Sequence, residues 1–142
     1  MLETILVPLD GSALSEVALP YAEALVRRTG GRLVLVRAAR VSALHSEPEH
    51  EQFSHVAIAE DYLRQIAQGL MARGVKNVEM GVPYGQAASW IVEEAQMRHA
   101  DIIVMSTNDR SGADRWLHGS VAESVVHRTP IAEVIQYAPA TG

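Results

Sequence analysis

The chain has 142 residues, 48% of them hydrophobic, which suffices for one substantial core and fits a single domain over residues 1–142. A formal net charge of -5 and a pI near 5.6 leave no concentrated basic surface, so neither nucleic acid nor an anionic membrane is expected as a partner. There is no cysteine for a disulfide, a thiol nucleophile or a thiolate metal site, and no apolar run reaches the roughly 18 residues that span a bilayer, so a cytoplasmic location is expected.

Thr4 to Leu9 is short and continuously apolar and stops at Asp10-Gly11-Ser12, the pattern of a strand buried on both faces. Leu14, Ala18, Tyr21, Ala22 and Leu25 then recur at helical spacing, with Ser12 able to cap the first turn, Gly30-Gly31 ending the pattern and Pro20 expected to bend it. Arg32 to Arg37 is a second buried strand. From about Val41 to His55 the chain is polar and irregular, and an exposed loop or a frayed helix start is expected.

Ala59, Tyr62, Leu63, Ile66, Ala67 and Leu70 form an amphipathic helix that closes at Gly74, and Val78 to Val82 is a short third strand. A helix from Gln86 to about His99 buries Ala88, Ile91, Val92 and Ala95. Asp101 leads into Ile102 to Met105, the most uniformly apolar strand. A loop from Ser106 to His118 precedes a short helix carrying Val121, Ala122, Val125 and Val126, and Pro130 introduces a last strand, Ile131 to Tyr137. Strands alternating with helices, most of the strands apolar throughout, predict an α/β fold: an open, doubly wound, five-stranded parallel sheet with helices on both faces. Ligands of such sheets bind at the carboxyl ends of the strands, where the strand order reverses.

Two stretches are recognisable. Ile5-Leu6-Val7-Pro8-Leu9-Asp10-Gly11-Ser12 resembles the opening strand and turn of the universal stress protein family. Met105 to Gly112 followed by Leu117 to Glu123 resembles that family's nucleotide loop, whose pattern is Gly, two residues, Gly, nine residues, then Gly with Ser or Thr. The spacing is intact here, with Gly119 and Ser120 matching and with Ser106 and Asp109 in place of the first two glycines. The resemblance implies a Rossmann-like, adenine nucleotide alpha hydrolase-like fold and an adenine-nucleotide pocket. In that pocket Asp10 and the backbone at Ala38 meet adenine, while the loop positions Ser106, Asp109, Gly119 and Ser120 meet ribose and phosphates. Members that do not bind nucleotide lose the glycines.

Glycine turns cradle phosphate because backbone N–H groups approach it closely, and a following helix N-terminus adds partial positive charge. Ser106 is a mild replacement, since its hydroxyl can donate to a phosphate oxygen. Asp109 is a serious one: a carboxylate about 4 Å from a phosphate costs roughly 1 kcal/mol in water and several times more when partly desolvated. Arg110, Arg115, Arg37 or Arg40 would offset that charge, or Asp109 would hold a divalent cation such as magnesium. ATP affinity is therefore expected to be weak or absent. Asp10 and Gly119-Ser120 also have plain readings as helix caps.

Other constellations carry less. His45, His50 and His55 lie five apart, a spacing that fits neither a helix face nor a strand face, so a solvated loop is expected rather than a metal site. Ser111, Ser120, Ser124, His118 and Asp114 supply hydrolase residue types without a nucleophile elbow. Lys76, the only lysine, stands in a turn and is no phosphate-loop lysine. Trp90 reads as core, whereas Trp116 sits in the loop beside the expected pocket.

The family commonly dimerises through the last strand, and a homodimer is expected although Glu133 interrupts that strand. The leading reading is a non-catalytic regulatory or sensor module of stress physiology with a degenerate adenine-nucleotide pocket. The alternatives are an ATP-binding member with slow ATPase or phosphotransfer activity, and a protein-interaction module without a ligand.

Overall fold

The computed structural model describes residues 3–39, 49–83, 87–107 and 132–137. In chain order the elements are β1 (Thr4–Leu9), α1 (Ala13–Glu16), α2 (Leu19–Thr29), β2 (Arg32–Arg37), α3 (Glu49–Ala72), β3 (Val78–Gly81), α4 (Ala87–Met97), β4 (Ile102–Thr107) and β5 (Ala132–Tyr137). The strands form one sheet in the order β3-β2-β1-β4-β5, and every pairing is parallel. The order reverses between β1 and β4.

The apolar runs become strands because both of their faces are covered. Ile5, Val7, Leu9, Leu33, Leu35, Ile102 and Val104 share one cluster with Ala22 and Val26 of α2 and with Leu63, Ala67 and Leu70 of α3. Leu6, Val34, Val36, Ile103 and Met105 form the other with Trp90, Ile91, Val92 and Ala95 of α4. Trp90 is thus a core residue, 3% exposed.

Two helix expectations change. The first helix is two helices, because a proline ring clashes with the carbonyl four residues back and offers no N–H. The chain therefore turns at Val17 and Ala18 and restarts with Pro20 in the first turn of α2, where the missing N–H costs nothing. Residues 49–55, expected as loop or fray, belong to the 24-residue α3. Glutamates at positions 49 and 51 suit the positive end of a helix dipole, and Pro48 precedes them in the sequence. The last predicted helix, Val121 to Val126, lies outside the described residues.

α2 and α3 are tied at their surface by Glu23, which accepts from Arg73 at 3.0 Å and from Arg27 at 2.9 Å. The Arg73 hydrogen bond, helped by Arg27, holds the Glu23 carboxyl below the usual carboxylate range despite its partial burial. At the opposite edge of the sheet from β5, the four-residue β3 is covered by Arg98. This guanidinium bonds Glu94 at 3.1 Å and Glu79 at 3.3 Å and donates to the Met80 carbonyl at 3.4 Å. Glu79 also receives Arg32 at 2.7 Å.

Candidate functional site

The proline in β1 shapes the place where a ligand is expected. β1 pairs with β2 along its whole length, from Thr4 to Leu9, but with β4 only at Ile5 and Leu6. Pro8 has no N–H to give a ladder, and the pairing with β4 has already ended before it. The carboxyl ends of β1 and β4 are thereby left unzipped at the reversal of strand order, which is where an open α/β sheet forms its crevice.

Helix α1 sits in that gap, fixed by a chain of hydroxyls. Asp10 Oδ1 accepts from the Ser12 N–H at 2.8 Å and from the Ser12 hydroxyl at 2.5 Å. Ser12 is the N-cap of α1, its Oγ accepting from the Ser15 N–H at 3.1 Å. The fully buried Ser15 hydroxyl donates to the Ser12 carbonyl at 2.9 Å and accepts from the Asp10 N–H at 3.2 Å. From β4, the fully buried Ser106 hydroxyl donates to the carbonyls of Leu14, at 2.5 Å, and Ser15, at 3.2 Å.

Of the expected site residues, Asp10, Ala38 and Ser106 are described, at the carboxyl ends of the adjacent strands β1, β2 and β4. Asp109, Gly119 and Ser120 lie outside the described residues, as does Trp116. Asp10 does not cap α1 itself: it orients the serine that does. Ala38 follows the last residue of β2, and the next N–H, that of Ala39, donates to Pro83 at 2.9 Å. Ser106 occupies the expected strand end, but its single hydroxyl proton is directed at α1 rather than outward, so the expected donation to a phosphate is not the bond it makes here.

Sequence reasoning missed a second layer beside this turn. Gly11 has φ +86, and a Cβ there would fall 2.8 Å from Nη1 of Arg37, so the glycine both permits the turn and admits the guanidinium. Arg37 lies 4.8 Å from the Tyr62 ring centroid, and the Tyr62 hydroxyl donates to Glu16 at 2.7 Å. Burial first, then the bond to Glu16, raises the Tyr62 pKa well above its ordinary value, so the phenol is a fixed donor at neutral pH. Tyr62 belongs to the apolar stripe of α3, and nothing in that stripe distinguishes it from a packing residue.

Two open hollows lie at the other end of the sheet. One, of about 360 Å³, is lined by Arg27, Gly30, Lys76 and Asn77, and the other, of about 610 Å³, by Glu3, His99 and Asp101. Helix α2 ends there with the negative end of its dipole, which disfavours an anion. The topology and the Asp10 turn favour the carboxyl end instead.

A model of the universal stress protein family matches residues 1–135. The chain belongs to that family. A Staphylococcus aureus (strain USA300) protein that carries the family's name is 29% identical over 132 residues, 90% of this chain and 80% of that protein. Among solved structures, the universal stress protein UspA from Lactobacillus plantarum superposes with a TM-score of 0.80 at 24% identity, covering 95% of this chain and 97% of its own. A universal stress protein in complex with cAMP superposes with a TM-score of 0.67 at 23% identity, covering 96% and 98%. These likenesses show the α/β fold with its parallel sheet and flanking helices. Among the described residues, no helix of this universal stress protein is long and apolar enough to cross a membrane.

Proposed function

We propose that this universal stress protein is a non-catalytic, cytoplasmic regulatory or sensor module of stress physiology. It takes the adenine-bearing part of a nucleotide at the carboxyl ends of β1 and β2 and has little affinity for ATP. The observation that carries this reading is the Asp10 turn, a carboxylate held rigidly at the strand reversal and beside the end of β2. A related protein that takes cAMP supports an adenine nucleotide of low charge. A triphosphate fits these residues poorly: the Ser106 proton is directed at α1, and the sequence sets a carboxylate, Asp109, in the phosphate loop. Magnesium held at Asp109 would lessen that repulsion without removing the charge mismatch along the whole tail. Isothermal titration with MgATP is expected to show no saturable binding in the micromolar range. A dissociation constant below about 100 μM overturns the reading.

The module is further proposed to act as a homodimer joined through β5. That strand is the outer one of the sheet, its backbone in register with β4 from Ala132 beside Ile102 to Tyr137 beside Thr107, with Glu133 beside Ile103. The opposite edge is short and carries the Arg98 cover, a device that discourages strand addition. Light scattering at micromolar concentration is expected to give twice the chain mass of 15.4 kDa, and a monomer there removes the proposal.

A further inference from the structure

A serine spans the place where the backbone pairing of the sheet stops. β1 pairs with β4 only at Ile5 and Leu6, with Ile102 and Ile103 as their partners. Further along, the Ser106 hydroxyl reaches from β4 to the Leu14 carbonyl at 2.5 Å and to the Ser15 carbonyl at 3.2 Å, both on α1. Glycine, which the family's pattern has at this position, carries no group that could do so. A helix of four residues does not hold itself in place, because nucleating one turn fixes several residues for a single hydrogen bond. The Leu14 and Ser15 carbonyls accept from the N–H groups of Val17 and Ala18 at 3.2 and 3.4 Å, which is long for backbone bonds. The Ser106 bond to Leu14 is shorter, and it lies out of water, since Ser106 and Ser15 are fully buried. The position of α1 therefore depends on β4.

Helix α1 in turn fixes Asp10. The Ser15 hydroxyl accepts from the Asp10 N–H at 3.2 Å, and the Ser15 N–H donates to Ser12 Oγ at 3.1 Å. The Ser12 hydroxyl then donates to Asp10 Oδ1 at 2.5 Å. Ser15 thus meets Ser106 with its carbonyl, Ser12 with its N–H and Asp10 with its hydroxyl. A shift of α1 disturbs all three bonds together.

We propose that Ser106 is a positioning residue for the adenine side of the crevice: through α1 it holds the Asp10 carboxylate in place, and it acts on no phosphate. This rests on the reading that the adenine of a nucleotide enters at Asp10. It adds what the replacement of a glycine contributes there, which is orientation of the Asp10 turn instead of a phosphate cradle. A carboxylate ordered in advance loses less freedom when a ligand arrives, so loosening it weakens every adenine-bearing ligand by the same factor.

The test compares the full unaltered chain with Ser106→Ala and Ser106→Gly by two measurements. Amide hydrogen exchange, followed residue by residue by NMR, needs no ligand. In Ser106→Ala the N–H groups of Asp10, Ser12 and Ser15 are expected to exchange about ten-fold faster, while those of Leu33 and Leu35 in β2 keep their rates. Isothermal titration is expected to show adenosine and AMP weakened about ten-fold alike, with the ratio of the two affinities unchanged. Ser106→Gly, which restores the family's residue without the hydroxyl, is expected to weaken both at least as much. Unchanged exchange at Asp10, Ser12 and Ser15 overturns the inference, and so does an acceleration shared equally by β2, which marks a merely structural serine. A loss clearly greater for AMP than for adenosine puts the hydroxyl on the phosphate and overturns it as well. If the unaltered protein binds neither ligand, the nucleotide reading fails and takes the adenine role of Ser106 with it, while the exchange rates still decide whether Ser106 holds the Asp10 turn.

Discussion

Gly31→Ala is expected to destabilise the protein by about 3 kcal/mol, more than the adjacent Gly30→Ala, although Gly30 is the residue in the left-handed conformation. Gly30 closes α2 with φ +72, its N–H donating to the Val26 carbonyl at 2.9 Å, and a Cβ there would meet nothing within 4 Å. Alanine at such a position costs about 1 kcal/mol of backbone strain and little else. Gly31 has no positive φ, but a Cβ on it would collide with the Glu3 carbonyl group and come within 2.9 Å of the Glu3 Cα. That obstacle is backbone, which cannot rotate away.

The Glu3 carbonyl also accepts from the Arg32 N–H at 2.7 Å, and the neighbouring Glu3 and Thr4 N–H groups are both held by Asp101 Oδ2 at 2.9 Å. Making room for one methyl therefore disturbs the start of β1, its pairing with β2 and its clasp to β4 together. Urea unfolding of the two variants decides the matter: with equal slopes, a midpoint for Gly31→Ala at or above that of Gly30→Ala refutes the close-approach account.

The same pair of glycines shows how far sequence reasoning reached. Both read as the end of a helix, and for Gly30 that is sufficient; for Gly31 the cause is the backbone of Glu3, just before β1 and 28 residues earlier in the chain, which no local pattern records. Two strands were legible to the residue, β1 over Thr4–Leu9 and β2 over Arg32–Arg37, because burial on both faces forces an unbroken apolar run, whereas the expected limits of the other three differ by one or two residues from those observed.

Helices were legible where an apolar stripe faces the sheet and illegible where it does not. The first turns of α3 lack that stripe, and the break between α1 and α2 left the periodicity of Leu14, Ala18, Tyr21 and Ala22 undisturbed. The candidate site was placed from topology alone, and its wiring was not legible in the sequence. Ser106 finds its acceptors 91 and 92 residues away, and Arg37 meets Gly11 and Tyr62 only once three elements have packed. A serine in a glycine's place reads as a phosphate donor until the helix that takes its proton is in view.

Arg98→Met is expected to cost about 3 kcal/mol, far more than a surface ion pair, because it strands a carboxylate inside the protein. The side chain of Glu94 is only 8% exposed and bonds Arg98, four residues on and just past the end of α4, at 3.1 Å. The other partners of Arg98, Glu79 at 41% exposure and the Met80 carbonyl on the edge strand, can turn to water when the guanidinium is removed, but Glu94 cannot. The loss is thus assigned mainly to one uncompensated charge rather than to the sum of three bonds. The double variant Arg98→Met with Glu94→Gln, which removes that charge, is expected to recover more than half of the loss. A single-variant cost below about 1 kcal/mol, the value of an exposed pair, or a double variant no more stable than Arg98→Met, would show that Glu94 finds water or another partner and that the cover over β3 contributes little.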